Sequence, residues 1–252
     1  MTYEIFMTAV VKDQDVAKAR SVLTGVTECR ERHRYTKISH MERQDREPKS
    51  LDKFKELGKE TRHPDAPRWQ ELHQTLLRTP YVMQMRVDVT SEFENRSSPD
   101  AATTIPPSRP RTLRWENIPD PPSERVPDFL HQRRALGITN PDIPNILSTA
   151  NFKPKMGILH ETYHWWLDSA EYVLTKTHSI PAAAYSQEDM VPAVDSTTPL
   201  GDFWILHVRV HVESKPEQMR NGQERLVQAH QRLLGIFKFE VFDRRVFDTR
   251  VE

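Results

Sequence analysis

The sequence predicts a strand-dominated α+β protein with about three helices and long polar insertions. Three observations indicate this fold class. Runs rich in β-branched and aromatic residues recur along the 252 residues, three segments show a helical apolar period, and proline outnumbers glycine by 19 to 7. Ten of the prolines fall between Pro99 and Pro144. We expect that stretch to run extended across the surface or to be disordered, because proline fixes φ and removes a backbone donor.

The first half of the chain is predicted to form three strands and two helices. β-branched and aromatic side chains dominate the first strand, and the second alternates charged with uncharged side chains, as in an antiparallel strand with one wet face. An aspartate can cap the first helix and a glycine can end it, whereas prolines begin and stop the second. The predicted strands are residues 3–11, 28–42 and 81–89, and the predicted helices run from Asp13 or Asp15 to Gly25 and from Pro67 to Arg78.

The second half of the chain is predicted to form further strands and one long helix. Residues 202–213 give the clearest strand, because valines alternate with histidine and arginine. Apolar side chains recur throughout residues 155–180, and their period fits a helix and a strand alike. The remaining predicted elements are strands at 111–118 and from Gly235 to Val241, and a helix from Pro216 to about Leu234.

Three polar stretches separate these elements, at residues 43–65, 91–110 and 181–200. The first two are rich in charged, turn-forming or proline residues, and the third is rich in Ala, Pro, Ser and Thr. We expect them to be mobile loops of one domain that spans residues 1–252.

Composition and charge exclude several classes of function. Lys plus Arg and Asp plus Glu number 36 each, so the basic excess typical of nucleic-acid binders and of proteins on acidic membranes is missing. No apolar run approaches the roughly 18 residues of a membrane span. The single Cys29 rules out an intrachain disulfide and a cysteine-clustered zinc site, and neither GxGxxG nor GxxxxGK[ST] occurs. We therefore expect a soluble protein of a reducing compartment without a nucleotide cofactor.

The most specific chemical motif is His160-Glu161-Thr162-Tyr163-His164, an HExxH pattern. On a helix, the two histidines would share a face and could bind zinc while Glu161 polarises water. On a strand, their Cα atoms would stand about 13 Å apart, which is too far for shared ligation. Pro154 and Gly157 argue against a long helix through the motif, so histidines on a half-wet strand are the favoured interpretation.

Two other patterns could carry chemistry. Glu92 and Glu94 would point the same way on a strand and could hold a divalent cation, as in tunnel-shaped triphosphate-processing enzymes. His207, Arg209 and His211 would share one face of a strand. Solvated charges and a hydrated sheet face are the favoured interpretations of the two patterns.

No nucleophile stands out from the sequence. Cys29 lies in a run of Glu and Arg with only His33 nearby, and no GxSxG occurs. We therefore assign no catalytic, cofactor-binding or metal-binding residue, and the partner-binding residues remain unassigned.

Several separated segments, taken in order, resemble one known family. In their order and spacing they are similar to subunit 18 of the Mediator complex in its fungal form, over nearly the whole chain outside the three polar stretches. The segments are YEIFMTAVV (3–11), DVAKARSVL (15–23), WQELHQ (69–74), LRW (113–115), PDPP (119–122), EYVLT (171–175), LGIFKFEVFDR (234–244) and DTRV (248–251).

The resemblance implies a many-stranded antiparallel β-barrel flanked by helices. It also implies pairing with Mediator subunit 20 and with the C-terminal helix of subunit 8, contact with other head-module subunits and RNA polymerase II, and a nuclear location. It implies no direct contact with nucleic acid or a membrane, no cofactor and no catalytic residue. In the family, the region that matches 158–178 is a β-hairpin.

The sequence thus favours a non-enzymatic subunit of the Mediator head module. Two enzymatic alternatives stay open at this point. One is a zinc-dependent hydrolase built on residues 160–164, and the other is a triphosphate-tunnel phosphohydrolase centred on Glu92 and Glu94. We expect no paired acidic and basic residues inside the barrel. The tunnel would be excluded if apolar side chains filled the interior.

Overall fold

The computed structural model describes residues 2–45, 47–60, 64–78, 83–94, 103–124, 126–182, 190–193, 196–240 and 242–243. The strands are β1 (Thr2–Lys12), β2 (Arg32–Arg43), β3 (Met83–Asp88), β4 (Thr103–Thr104), β5 (Arg111–Glu116), β6 (His131–Asn140), β7 (Phe152–Leu167), β8 (Ala170–Ser179), β9 (Met190–Val191), β10 (Thr198–Pro199) and β11 (Phe203–Glu213). The helices are α1 (Val16–Thr27), α2 (Asp52–Lys59), α3 (Ala66–Arg78), α4 (Thr90–Glu94), α5 (Ile143–Thr149) and α6 (Pro216–Leu233).

Eight antiparallel strands close into a barrel. Their order is β8-β11-β1-β6-β5-β3-β2-β7, and pairing of β7 with β8 completes the ring. The short β10 extends the sheet beside β8, and β4 pairs with β9 in a separate two-stranded sheet. The strand-dominated class and the antiparallel barrel are therefore confirmed.

The outer face of the barrel carries its apolar core. Along β1, Ile5 and Met7 point outward and are fully buried, whereas Glu4 and Phe6 point into the lumen. One outer cluster packs β1, β8 and β11 beneath α1 and α6, and a second packs β3, β5 and β6 beneath α2, α3 and α5. Because apolar burial lies outside the ring, polar side chains can occupy the lumen.

The count of about three helices was wrong, since the described residues contain six. α1, α3 and α6 match the predicted helices, whereas α2, α4 and α5 were missed. α2 lies inside the predicted loop 43–65, where Phe54 is fully buried and stacks on Trp69 at 5.6 Å between ring centroids. Within the described residues, no helix is long and apolar enough to cross a membrane.

Prolines at both ends of β6 concealed this strand in the sequence. Its ten residues lie between Pro127 and Pro141, inside the stretch that we expected to run over the surface. The predicted strand from Gly235 to Val241 is also corrected. Of its described residues, only Phe239 forms a β-bridge, with Ala9, and residue 241 lies outside the described residues.

The other two predicted loops are described in part. In 91–110, residues 95–102 lie outside the described residues, and α4 and β4 flank them. In 181–200, residues 183–189 and 194–195 lie outside, and the described part contains β9 and β10.

The ambiguous segment 155–180 forms a hairpin of β7 and β8. Its two-residue turn is Asp168-Ser169, with φ of 50° and 68°, and Leu167 pairs with Ala170. Positive φ at both central residues suits the right-handed twist of a tight hairpin. On the outer face of β7, Trp165 is fully buried and donates its indole N–H to Thr24 Oγ1 at 3.0 Å, which fixes α1 to the hairpin.

Candidate functional site

The barrel lumen contains a charged network and a cavity of about 410 Å³. Alternation along each strand places every second side chain inside, so charged residues from six different strands converge there. The carboxylates are Glu4, Glu116 and Glu171, and the guanidinium groups belong to Arg86, Arg114, Arg133 and Arg209.

Glu4 is the centre of this network and is 1% exposed. Its Oε1 accepts from Arg114 Nη2 at 2.9 Å and from Arg209 Nη1 at 3.4 Å, and its Oε2 accepts from Arg133 Nε at 2.6 Å. Burial alone would raise the pKa of this carboxyl, but Arg114, Arg133 and Arg209 hold it well below its usual range. Glu4 is therefore a buried anion that ties β1 to β5, β6 and β11.

Glu116 is a second bridging carboxylate. Its Oε2 lies 2.7 Å from Arg133 Nη1, and its Oε1 accepts from Arg114 Nε and, at 3.1 Å, from Arg86 Nη2. Despite its burial, Arg114 and Arg133 lower the pKa of Glu116, and the two glutamates raise the pKa of Arg114. The carboxylate of Glu116 thus forms ion pairs with three guanidinium groups.

The network continues to β7 and β8 through Glu171. Its Oε2 accepts from Arg209 Nε at 2.7 Å, and its Oε1 lies 2.9 Å from His164 Nδ1. The other ring nitrogen of His164 lies 2.9 Å from Thr162 Oγ1. Against the effect of burial, His164 and Arg209 hold the pKa of Glu171 at about 2. A continuous path of ion pairs and hydrogen bonds therefore runs from His164 to Arg86.

The structure excludes the shared zinc site at the HExxH motif. β7 is extended through residues 160–164, as the favoured interpretation requires. His160 and His164 line the lumen, whereas Glu161 points outward, 3.1 Å from His33 Nε2 and 3.7 Å from His178 Nε2. The described residues contain no group of His, Cys, Asp and Glu that could hold a metal ion.

The predicted carboxylate pair does not lie on a strand. Glu92 and Glu94 belong to the short helix α4, and Glu92 is buried in an ion pair with Arg109 outside the lumen. A tunnel centred on Glu92 and Glu94 is therefore wrong.

His207, Arg209 and His211 do share one face of β11, as the alternation predicted. The face is the lumen rather than a hydrated outer surface. His207 and Arg209 line the cavity, and His211 Nε2 lies 3.8 Å from Glu4 Oε1.

Sequence reasoning missed the network itself. The expectation that no paired acidic and basic residues line the barrel is wrong, because Glu4 and Glu116 face four arginines. A signal was present in β5, where Arg114 and Glu116 alternate with the buried Leu113 and Trp115. Charged residues at alternate positions of a strand whose other face is apolar indicate a polar lumen once the sheet closes.

The comparisons with known proteins identify the family. The family model described as Med18 protein matches residues 3–250. The chain belongs to the Med18 family. The resemblance to Mediator subunit 18 is thereby confirmed over nearly the whole sequence. A search of curated proteins gave no significant match.

A solved structure from a Mediator head module shares the fold of this Med18 family member. A chain in the Schizosaccharomyces pombe Mediator head module aligns with a TM-score of 0.64 and 12% identity, covering 94% of this chain and 97% of that chain. A Pyrococcus horikoshii OT3 protein aligns with a TM-score of 0.48 and 9% identity, covering 96% and 95%. At 12% identity, the similarity to the S. pombe chain shows the fold alone.

Proposed function

We propose that the chain is a non-catalytic structural subunit of the Mediator head module, which acts in the nucleus in the regulation of RNA polymerase II transcription. The observation that carries this proposal is the Med18 family match across residues 3–250. The barrel fold shared with a chain of the S. pombe Mediator head module supports it.

The proposed partners follow from the family resemblance. They are Mediator subunit 20, the C-terminal helix of subunit 8, other head-module subunits and RNA polymerase II. The balance of 36 basic and 36 acidic residues supports protein partners over direct contact with nucleic acid.

The arginine partners of the lumen carboxylates argue against a phosphohydrolase. A tunnel enzyme that holds a divalent cation needs carboxylate oxygens free for the metal. Glu4 and Glu116 each interact with three arginines, so a cation would have to displace several charge-assisted hydrogen bonds.

Reconstitution tests the proposed assembly. Co-expression with Mediator subunits 20 and 8 from the same organism should give a ternary complex that elutes as one peak in size-exclusion chromatography. The matched control is subunit 8 truncated before its C-terminal helix, which should leave only the pair with subunit 20. If all three proteins fold but elute separately, the assignment of partners is wrong.

A further inference from the structure

The lumen cavity carries an excess of positive charge. Among the described residues, three guanidinium groups and two carboxylates line it: Arg86, Arg133 and Arg209 against Glu4 and Glu116. Arg114 and Glu171 contact these groups without lining the cavity. When they are counted, arginines still outnumber glutamates by one. An unbalanced positive charge in a confined, partly desolvated cavity attracts an anion.

The excess positive charge of the lumen is located at Arg86. Among the described residues, its single carboxylate partner is Glu116, at 3.1 Å, and Arg114 and Arg133 share that carboxylate. Arg86 Nε, at 2.9 Å, and Arg86 Nη2 also donate to the amide oxygen of Gln84, a neutral group that supplies no counter-charge. Burial and the neighbouring Arg114 lower the pKa of Arg86 to about 9, which supports the lack of a full counter-charge.

Two histidines that line the lumen cavity have unused hydrogen-bonding capacity. His160 and His207 line the cavity, and neither makes a hydrogen bond to another described residue. Burial, together with Arg86, lowers the pKa of His160 to about 3, and burial with Arg209 lowers the pKa of His207 to about 4. Each ring is therefore neutral and can present an N–H to an anion, and each can take up a proton once the anion has bound.

We propose that the lumen cavity binds a small, multiply charged oxyanion of the phosphate class, held by Arg86, Arg133 and Arg209 and by the ring N–H groups of His160 and His207. Such an anion supplies the missing negative charge and gives both histidines a partner. A cavity of about 410 Å³ is large enough for phosphate or pyrophosphate. The proposal concerns binding without turnover and does not depend on Mediator assembly.

The neighbouring imidazoles gain affinity for protons when the anion binds, because its negative charge stabilises the imidazolium form. The basic and imidazole groups that face the anion site and its surrounding network are His40, Arg86, Arg114, Arg133, His164, Arg209 and His211. The acidic groups are Glu4, Glu116 and Glu171. All three carboxyls have lowered pKa values and stay ionised between pH 6 and pH 7.5.

Isothermal titration calorimetry of the full chain with inorganic pyrophosphate, and then with inorganic phosphate, tests the proposal. We expect one site per chain and tighter binding of pyrophosphate than of phosphate. Arg86→Gln should weaken pyrophosphate binding by about tenfold or more, since a charge-assisted hydrogen bond is lost.

Arg134→Gln is a matched control. Arg134 has one carboxylate partner, Glu71 at 3.2 Å, and is 27% exposed, close to the 25% of Arg86, but it lies on the outer face of β6. Its substitution should leave binding unchanged. If Arg86→Gln does not fold, His207→Asn removes a lumen group that makes no hydrogen bond within the described structure and should also weaken binding. No binding at millimolar pyrophosphate, or equal weakening by lumen and outer-face variants, would overturn the proposal.

Discussion

Glu4→Gln should lower the free energy of unfolding by about 3–5 kcal/mol, although it changes a single atom type in one side chain. Glu4 is 1% exposed and holds Arg114, Arg133 and Arg209 with one carboxylate. A neutral amide leaves these three guanidinium groups in the lumen without their shared anion. Urea denaturation at pH 7, followed by circular dichroism, measures the loss.

Glu42→Gln is the control for this change. Glu42 lies on β2 and pairs with Lys155 at 3.3 Å, but its side chain is 45% exposed. Exposed ion pairs contribute little, so its loss should cost less than about 1 kcal/mol. A Glu4→Gln variant as stable as this control would mean that the lumen network does not stabilise the barrel.

When the pH is lowered from 7 to 5, we expect the free energy of unfolding to fall by about 2 kcal/mol for each of His160 and His207. Their folded-state pKa values are about 3 and 4, against an ordinary value of 6.5. Below pH 6.5 the unfolded chain therefore binds protons that the folded lumen cannot accept. Stability is retained above pH 6.5 and is lost as the pH falls, and the lowered pKa values of His40 and His211 act in the same direction.

The carboxylates do not interfere with this measurement. Glu171 has a folded-state pKa of about 2 and an ordinary value of 4.5, so its contribution is lost only as the pH falls below about 4.5. Between pH 7 and pH 5, the free energy of unfolding of the double variant His160→Gln, His207→Asn should fall by about 4 kcal/mol less than that of the wild type. Each single variant should differ from the wild type by about half of that amount. Equal pH slopes for the double variant and the wild type in urea denaturation would refute this account of the two histidines.

The strands and helices that the sequence predicted are those whose signals are local. β1, β3 and β11 have continuous runs of strand-forming residues, and α1, α3 and α6 combine an apolar face with helix boundary signals. α2 was missed because it is largely polar, and its one buried residue, Phe54, is stabilised by contacts with the distant Trp69 and Phe152.

The lumen network depends on register, which local patterns do not contain. Glu4 meets Arg114 and Arg133 across 110 and 129 residues of sequence. These contacts exist because β1 pairs with β6, β6 with β5, and the ring then closes. The HExxH motif shows the same limit from the other side, because its spacing is local but its conformation is not. The turn at Asp168-Ser169 and the pairing of β7 with β2 and β8 make the motif extended.

The proposed role as a structural subunit of the Mediator head is tested by affinity purification of the tagged chain. The chain is expressed at its native level and purified from nuclei of the source organism, and quantitative mass spectrometry measures what is bound to it. We expect subunits 8 and 20 and the other head-module subunits to co-purify in near-equal amounts with the tagged chain. Recovery of the chain in good yield without these subunits would contradict it.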